Sequence, residues 1–193
     1  MTPVLRKLSP SITKMIRLDH SHVMVIFHKF DREASPERRR AIVETACTAL
    51  EIHAQLEEEI FYPALAEVAA HHEALRKAQP EHDEMRRLIG MLRGPQASEV
   101  RYAECFMELM RDVLHHVADE ETLLLPAAEL LMPERLSELG ARMTQRRLQL
   151  AGPRAAKIAV DTARAMPASS LLMAGGLLAG GYLLGRALEH RRH

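Results

Sequence analysis

The sequence lacks the features that mark several common protein classes. Its 26 lysine and arginine residues are balanced by 26 aspartate and glutamate residues, which argues against a nucleic-acid partner, because that role usually needs a basic excess. Two cysteines, Cys47 and Cys105, are too few for a disulfide scaffold. Nothing at the N-terminus reads as a secretory signal. We therefore expect the main domain to lie in a reducing, cytoplasmic setting.

Patterns typical of β-structure are also missing. No alternating run of valine, isoleucine and threonine is long enough to form a strand. Alanine, leucine, glutamate, arginine and methionine dominate most of the chain instead, and apolar residues recur with a period near 3.6. The pattern therefore predicts an all-α protein.

Prolines, glycines and capping residues mark where the predicted helices begin and end. Four long helices are predicted over residues 11–31, 36–69, 73–92 and 99–131. Ser35 and Ser98 are suited to cap the second and fourth helices. We expect Pro63 and Pro126 to kink the same two helices. Short connections favour antiparallel neighbours, so the expected fold is an up-down four-helix bundle with a C-terminal extension.

The C-terminal extension divides by composition. We expect a bundle over residues 1–132, an amphipathic helix and linker over 133–166, a membrane anchor over 167–187 and a basic tail over 188–193. Residues 168–185 carry no charge and would span about 27 Å as a helix, close to a bilayer core of about 30 Å.

Four glycines in this uncharged segment have the spacing that lets membrane helices approach closely. They are Gly176, Gly180, Gly181 and Gly185. The segment predicts a bundle tethered to the inner face of a membrane, with self-association through the glycines. A short oligomerising helix, or a flexible tail in a soluble protein, is the alternative.

A repeat of 63 residues carries the most specific pattern in the chain. His53, Glu57, Glu58 and Pro63 recur as His116, Glu120, Glu121 and Pro126. An upstream pair, Asp19 and His20, recurs at nearly the same offset as Glu81 and His82. The first two helices therefore look like a copy of the next two, and a pseudo-twofold axis would bring the copies together.

Six side chains of this repeat are expected to converge inside the bundle. They are His20, His53, Glu57, His82, His116 and Glu120. In each copy the second histidine and its glutamate are four positions apart and share a helix face, and the helix lengths place the first histidine at a similar depth. Such a cluster is costly in a core unless something pairs it. A pair of divalent iron, manganese or zinc ions would suit these ligands.

Other polar residues near these donors have alternative interpretations. Glu58 and Glu121 are typical of surface groups, or of residues that orient a ligand histidine. Arg86 is interpreted as a surface residue, with a cation at the rim of the site as the alternative. His28 is an alternative donor because it lies eight residues after His20.

These residues resemble the hemerythrin-like proteins with an HHE cation-binding domain. The resemblance covers about residues 11–131 and rests on Asp19-His20, His53 to Pro63, Glu81-His82 and His116 to Pro126. It implies a four-helix bundle that holds a non-heme di-iron centre with an oxo or hydroxo bridge. It also implies that the six converging donors are the iron ligands.

The sequence departs from the oxygen-carrying hemerythrins at two points. Those proteins have a fifth histidine where this chain has Arg86, and an aspartate five residues after the fourth-helix histidine instead of Glu120 four residues after it. These departures argue against reversible oxygen carriage. The resemblance implies binding or reduction of dioxygen, hydrogen peroxide or nitric oxide, as in detoxification or iron–sulfur repair. An oxygen- or iron-sensing module without turnover and a structural zinc protein are the alternatives.

Overall fold

The computed structural model of the protein describes residues 9–95 and 98–165. These residues form helices and turns, with no strand among them, so the prediction of an all-α protein is confirmed. The predicted membrane anchor over 167–187, its glycines Gly176, Gly180, Gly181 and Gly185, and the basic tail lie outside these ranges. Within the ranges, every helix is too short or too polar to cross a bilayer.

Eight α-helices run through the described residues. They are α1 (Ile12–His28), α2 (Pro36–Leu56), α3 (Tyr62–Ala69), α4 (Glu73–Arg93), α5 (Glu99–Asp119), α6 (Leu125–Leu131), α7 (Leu136–Ala151) and α8 (Ala155–Ala165). The π-helical turns Glu57–Phe61 and Glu120–Leu124 join α2 to α3 and α5 to α6, and the 3-10 turns Pro133–Arg135 and Gly152–Arg154 precede α7 and α8.

The helix starts follow the predicted caps, and one helix end differs. Ser35 and Ser98 accept the backbone N–H three residues further on, at 3.3 and 3.2 Å. Helix α1 ends at His28 instead of near residue 31. The reason is local, because the Asp31 carboxylate accepts the backbone N–H of Glu33 at 2.9 Å and bends the chain into a turn.

One π-helical turn precedes each of the two repeated prolines. Pro63 has no backbone N–H, and its ring would clash with the carbonyl of the preceding α-turn. In the structure the N–H of Tyr62 donates to the carbonyl of Glu57, five residues back, and the N–H of Leu125 donates to that of Glu120. The wider turn accommodates the proline, so the interruption predicted as a kink is a π-bulge within a continuing helix.

Two apolar clusters fill the opposite halves of the bundle. Along the chain, α1 and α4 pass from the second cluster to the first, whereas the segments α2–α3 and α5–α6 pass from the first to the second. The first cluster includes Phe27, Leu88 and Phe106, and the second includes Ile16 and Leu65. Neighbouring helices therefore run antiparallel, and the middle of each helix lies between the two clusters.

Helices α7 and α8 pack on the side of the bundle formed by α1 and α2. Helix α7 comes so close to the start of α1 that a Cβ atom at Gly140 would lie 2.1 Å from the carbonyl oxygen of Pro10. Helix α8 packs along α2 in the region predicted to be a linker. The described part of the extension is thus docked against the bundle.

Candidate metal centre

The six predicted donors all lie in the middle of the bundle, between the two apolar clusters. They are His20, His53, Glu57, His82, His116 and Glu120, and none is more than 4% exposed. On α1, His20 falls between Ile16 of the second cluster and Val23 of the first. This burial shows that the histidine–glutamate pairs are not solvated surface pairs.

The donor atoms form two groups that share one carboxylate. His20, His53, Glu57 and Glu120 have ligand atoms within 4.8 Å of one another, as do Glu57, His82 and His116. Glu57 Oε2 lies 3.2 Å from His53 Nε2 and 3.5 Å from His82 Nε2. Glu120 Oε2 lies 3.1 Å from His20 Nε2 and 3.6 Å from His116 Nε2. Each carboxylate therefore reaches one histidine of either group, as a bridging ligand must.

A carboxylate faces the outer nitrogen of each of the four histidines. The contacts are Glu121 with His20, Glu58 with His82 and Glu81 with His116, each at 2.8 Å, and Asp19 with His53 at 3.5 Å. Where Nδ1–H donates to the carboxylate in the three short contacts, Nε2 is left as the nitrogen that would bind a metal ion. This arrangement prepares the inner nitrogens to bind a metal ion.

Glu58 and Glu121 contact the outer nitrogens of His82 and His20, which is the position expected of a residue that orients a ligand, the alternative to a surface role. Asp19 and Glu81 occupy the matching positions on the other two histidines, although the sequence marks them only as repeated neighbours of His20 and His82. Their contacts could not be read from spacing along one helix, because each carboxylate reaches a histidine on the next helix.

Two residues weighed as alternatives lie away from the donors. Arg86 is partly exposed and contacts Glu58 and Asp83, so it sits outside the carboxylate that holds His82. His28 is exposed at the end of α1 and is not brought to the cluster.

Tyr62 is a further polar group of the site, and the histidine–glutamate pattern does not single it out. Its hydroxyl donates to Glu120 Oε1 at 2.9 Å and lies 3.2 Å from Glu57 Oε2 and 3.3 Å from His82 Nε2. The only sequence signal is its place directly before Pro63. The equivalent residue of the second copy is the buried Leu125, so the phenol breaks the symmetry of the site.

The two central carboxylates are electrostatically unequal in the protein alone. Burial raises the pKa of Glu57 well above its ordinary value, and the charge of Glu120 raises it further. Burial opposes ionisation of Glu120 as well, but the hydrogen bond from His20 and the charges of nearby histidines lower its pKa overall. Burial, together with the proximity of His116, lowers the pKa of His82 to about 4. His82 is therefore a neutral imidazole at pH 7, the form that binds metals.

Buried polar atoms without partners provide the test of whether a metal fits. Both ring nitrogens of His53 and Oε1 of Glu57 are buried without a hydrogen-bond partner. Such atoms are costly in a core, and a cation between the donors would satisfy those that face the centre. Imidazole nitrogens and carboxylate oxygens suit iron, manganese or zinc. The residues present therefore fit a pair of divalent ions.

Comparison with known protein families identifies the family to which the chain belongs. The model of the hemerythrin HHE cation-binding domain matches residues 11–128, well over half of the chain. The chain belongs to the hemerythrin HHE family. The resemblance read from the sequence is thereby confirmed, and with it a helical, metal-binding domain of the HHE type.

One curated relative matches part of this chain. A Nostoc sp. protein named DNA nickase is 26% identical over 117 residues, which are 61% of this chain and 33% of that protein. The chain thus spans about a third of the length of that relative. No solved structure gave a significant match. Helices α7 and α8 lie beyond the end of the matched HHE region.

Proposed function

We propose that this HHE protein holds two iron ions and binds or reduces a small oxidant: dioxygen, hydrogen peroxide or nitric oxide. The supporting observation is that Glu57 and Glu120 each reach one histidine of both donor groups. The six donors would be the ligands, with these two carboxylates as bridges. Bound iron would supply the electrons and the open coordination positions for the oxidant.

The protein's own side chains would prepare this chemistry. The outer carboxylates orient the imidazoles, so little rearrangement is needed when the metals bind. Tyr62 is the only phenol at the donor cluster among the described residues. Its hydroxyl oxygen lies 2.9 Å from Glu120 Oε1 and donates its proton to that oxygen. The apolar clusters on either side exclude bulk water, which strengthens electrostatic interactions within the site. Peroxide or nitric oxide detoxification and iron–sulfur repair are the roles we propose for such a centre.

The ligand assignment is tested by His116→Ala. Removal of a buried imidazole should cost the protein most of its iron, measured as iron per chain after native purification. His115→Ala is the matched control, because His115 is the adjacent residue of α5 and is exposed. A wild-type iron content in His116→Ala, with circular dichroism showing a folded protein, would refute the assignment. Zinc or manganese in place of iron in the wild-type protein would refute the choice of metal.

Turnover separates an oxidant-reducing enzyme from a sensing module. The iron-loaded protein is mixed with excess hydrogen peroxide and excess ascorbate as the reductant, and the peroxide consumed is measured per protein. Many turnovers would support the enzyme, whereas a single stoichiometric change in the absorption spectrum would support a sensor or store.

The proposed location is a cytoplasmic bundle that the segment 167–187 tethers to a membrane. Cell fractionation tests this location by comparing the full chain with a chain that ends at residue 166. The full chain should sediment with membranes and the shorter one should not.

We propose no nucleic-acid partner, because the charge of the chain is balanced and the name DNA nickase describes a protein of which this chain covers 33%.

A further inference from the structure

Helix α7 contributes an arginine to the candidate metal centre from beyond the matched HHE region. Arg147 Nη1 donates to Asp19 Oδ1 at 2.6 Å, and its Nη2 donates to Asp19 Oδ2. The same Oδ2 lies 3.5 Å from His53 Nδ1. A continuous set of contacts therefore runs from the C-terminal extension to one predicted ligand.

Asp19 is the least exposed of the four carboxylates that face the outer histidine nitrogens. Its side chain is 14% exposed, against 21% for Glu58, 31% for Glu121 and 35% for Glu81. A carboxylate removed from water needs a counter-charge. The planar arginine fork engages both Asp19 oxygens and so fixes the plane of the carboxylate as well as its charge.

His53 lies beside a cavity and lacks a short contact at its outer nitrogen. A cavity of about 50 Å³ lies beside it, lined in part by Asp19, Thr45, Thr48 and Arg147. This is space for a few water molecules, so protein atoms do not fill this side of the imidazole. At the outer nitrogen, the other three histidines have contacts of 2.8 Å to a carboxylate, whereas His53 has the longer contact of 3.5 Å to Asp19.

We propose that Arg147 is a positioning residue of the metal centre, which holds Asp19 and, through it, His53. Docking of α7 would then determine how firmly the ion of the His20–His53 group is retained, while the ion of the His82–His116 group would be unaffected. This inference rests on the proposed two-iron centre.

The experiment compares Arg147→Gln with Arg146→Gln in the full chain. Arg146 is the preceding residue of α7 and pairs with the surface residue Glu59 at 2.6 Å, so the same chemical change is made without touching the site. Each protein is loaded with iron, and release into excess chelator is followed by absorbance. In Arg147→Gln about half of the iron should leave about tenfold faster than from wild type. An effect of this size is typical when a residue that hydrogen-bonds to a metal ligand is removed.

The remaining iron of Arg147→Gln, and all the iron of Arg146→Gln, should leave at the wild-type rate. Arg147→Lys keeps the charge without the fork and should fall between wild type and Arg147→Gln. It also serves as the test if Arg147→Gln does not fold. Equal release from the two glutamine variants, or uniform acceleration of all the iron, would overturn the inference while leaving the two-iron proposal intact. A wild-type chain that takes up no pair of iron ions would overturn both.

Discussion

At the residue scale, the four carboxylates that face the outer histidine nitrogens link each helix of the bundle to the next, and the last helix back to the first. Asp19 of α1 faces His53 of α2, Glu58 after α2 faces His82 of α4, Glu81 of α4 faces His116 of α5, and Glu121 after α5 faces His20 of α1. Each helix thus orients the histidine of the next one. A displacement of any one helix would therefore disturb two histidines, its own and its neighbour's.

Tyr62→Phe removes the one phenol among the described residues that touches the donor cluster. The metal-free variant should be destabilised by about 1–3 kcal/mol, because Glu120 loses a buried hydrogen-bond donor. Its iron content should stay at the wild-type level, since Tyr62 is not a predicted ligand. Urea unfolding of the metal-free protein and iron analysis check the two parts.

Tyr102→Phe is the control for that substitution, because Tyr102 is buried in the first apolar cluster, away from the donors. Its iron content should match that of wild type. Loss of half the iron from Tyr62→Phe alone would show that the phenol is a ligand and would contradict the expected result.

The donors could be predicted from sequence because they obey a spacing rule. Histidine and glutamate four positions apart share a helix face, and the copy at an offset of 63 residues doubles the signal. Tyr62 and Arg147 obey no such rule. Tyr62 reaches the site only because the π-turn places it there, and Arg147 reaches Asp19 from a helix 128 positions further along the chain.

At the element scale, the two π-turns show what a proline signal does and does not predict. Pro63 and Pro126 mark where the regular hydrogen bonding of the helix must fail. The sequence does not determine how it fails, since a kink, a break and a bulge all remove the clash. Packing of α3 and α6 within the second apolar cluster keeps both helices continuous, and this tertiary constraint leaves the bulge as the solution.

The close contact between α7 and α1 predicts the effect of Gly140→Ala. The added Cβ would lie 2.1 Å from Pro10 O and 2.9 Å from Ile12 N. Because both are backbone atoms, the helices must move apart, and we expect a loss of about 1–3 kcal/mol in the free energy of unfolding. Chemical denaturation measures it.

Gly90→Ala is the matched control on α4, because a Cβ there meets nothing within 4 Å. Alanine favours helix over glycine, so this variant should gain about 0.5–1 kcal/mol. If Gly140→Ala were as stable as Gly90→Ala, α7 would not dock against α1 as described.

At the scale of the whole molecule, a polar layer interrupts an otherwise apolar interior. Six ionisable side chains lie between two apolar clusters, and three of their atoms have no hydrogen-bond partner. The metal-free fold therefore carries a desolvation cost at its centre. Metal binding would offset part of that cost, so folding and metal affinity should be linked.

Removal of the metal should therefore lower the stability of the entire fold. A ligand present at a thousand times its dissociation constant stabilises a protein by about 4 kcal/mol, which corresponds to a shift of about 10 °C for a chain of this size. We expect the iron-stripped protein to unfold about 10 °C below the loaded one, and reloading to restore the loss. His116→Ala should unfold near the stripped protein and show little response to added iron. If stripping and reloading leave the unfolding temperature unchanged, the buried donors do not bind the ion in the folded state. The polar layer would then need another explanation.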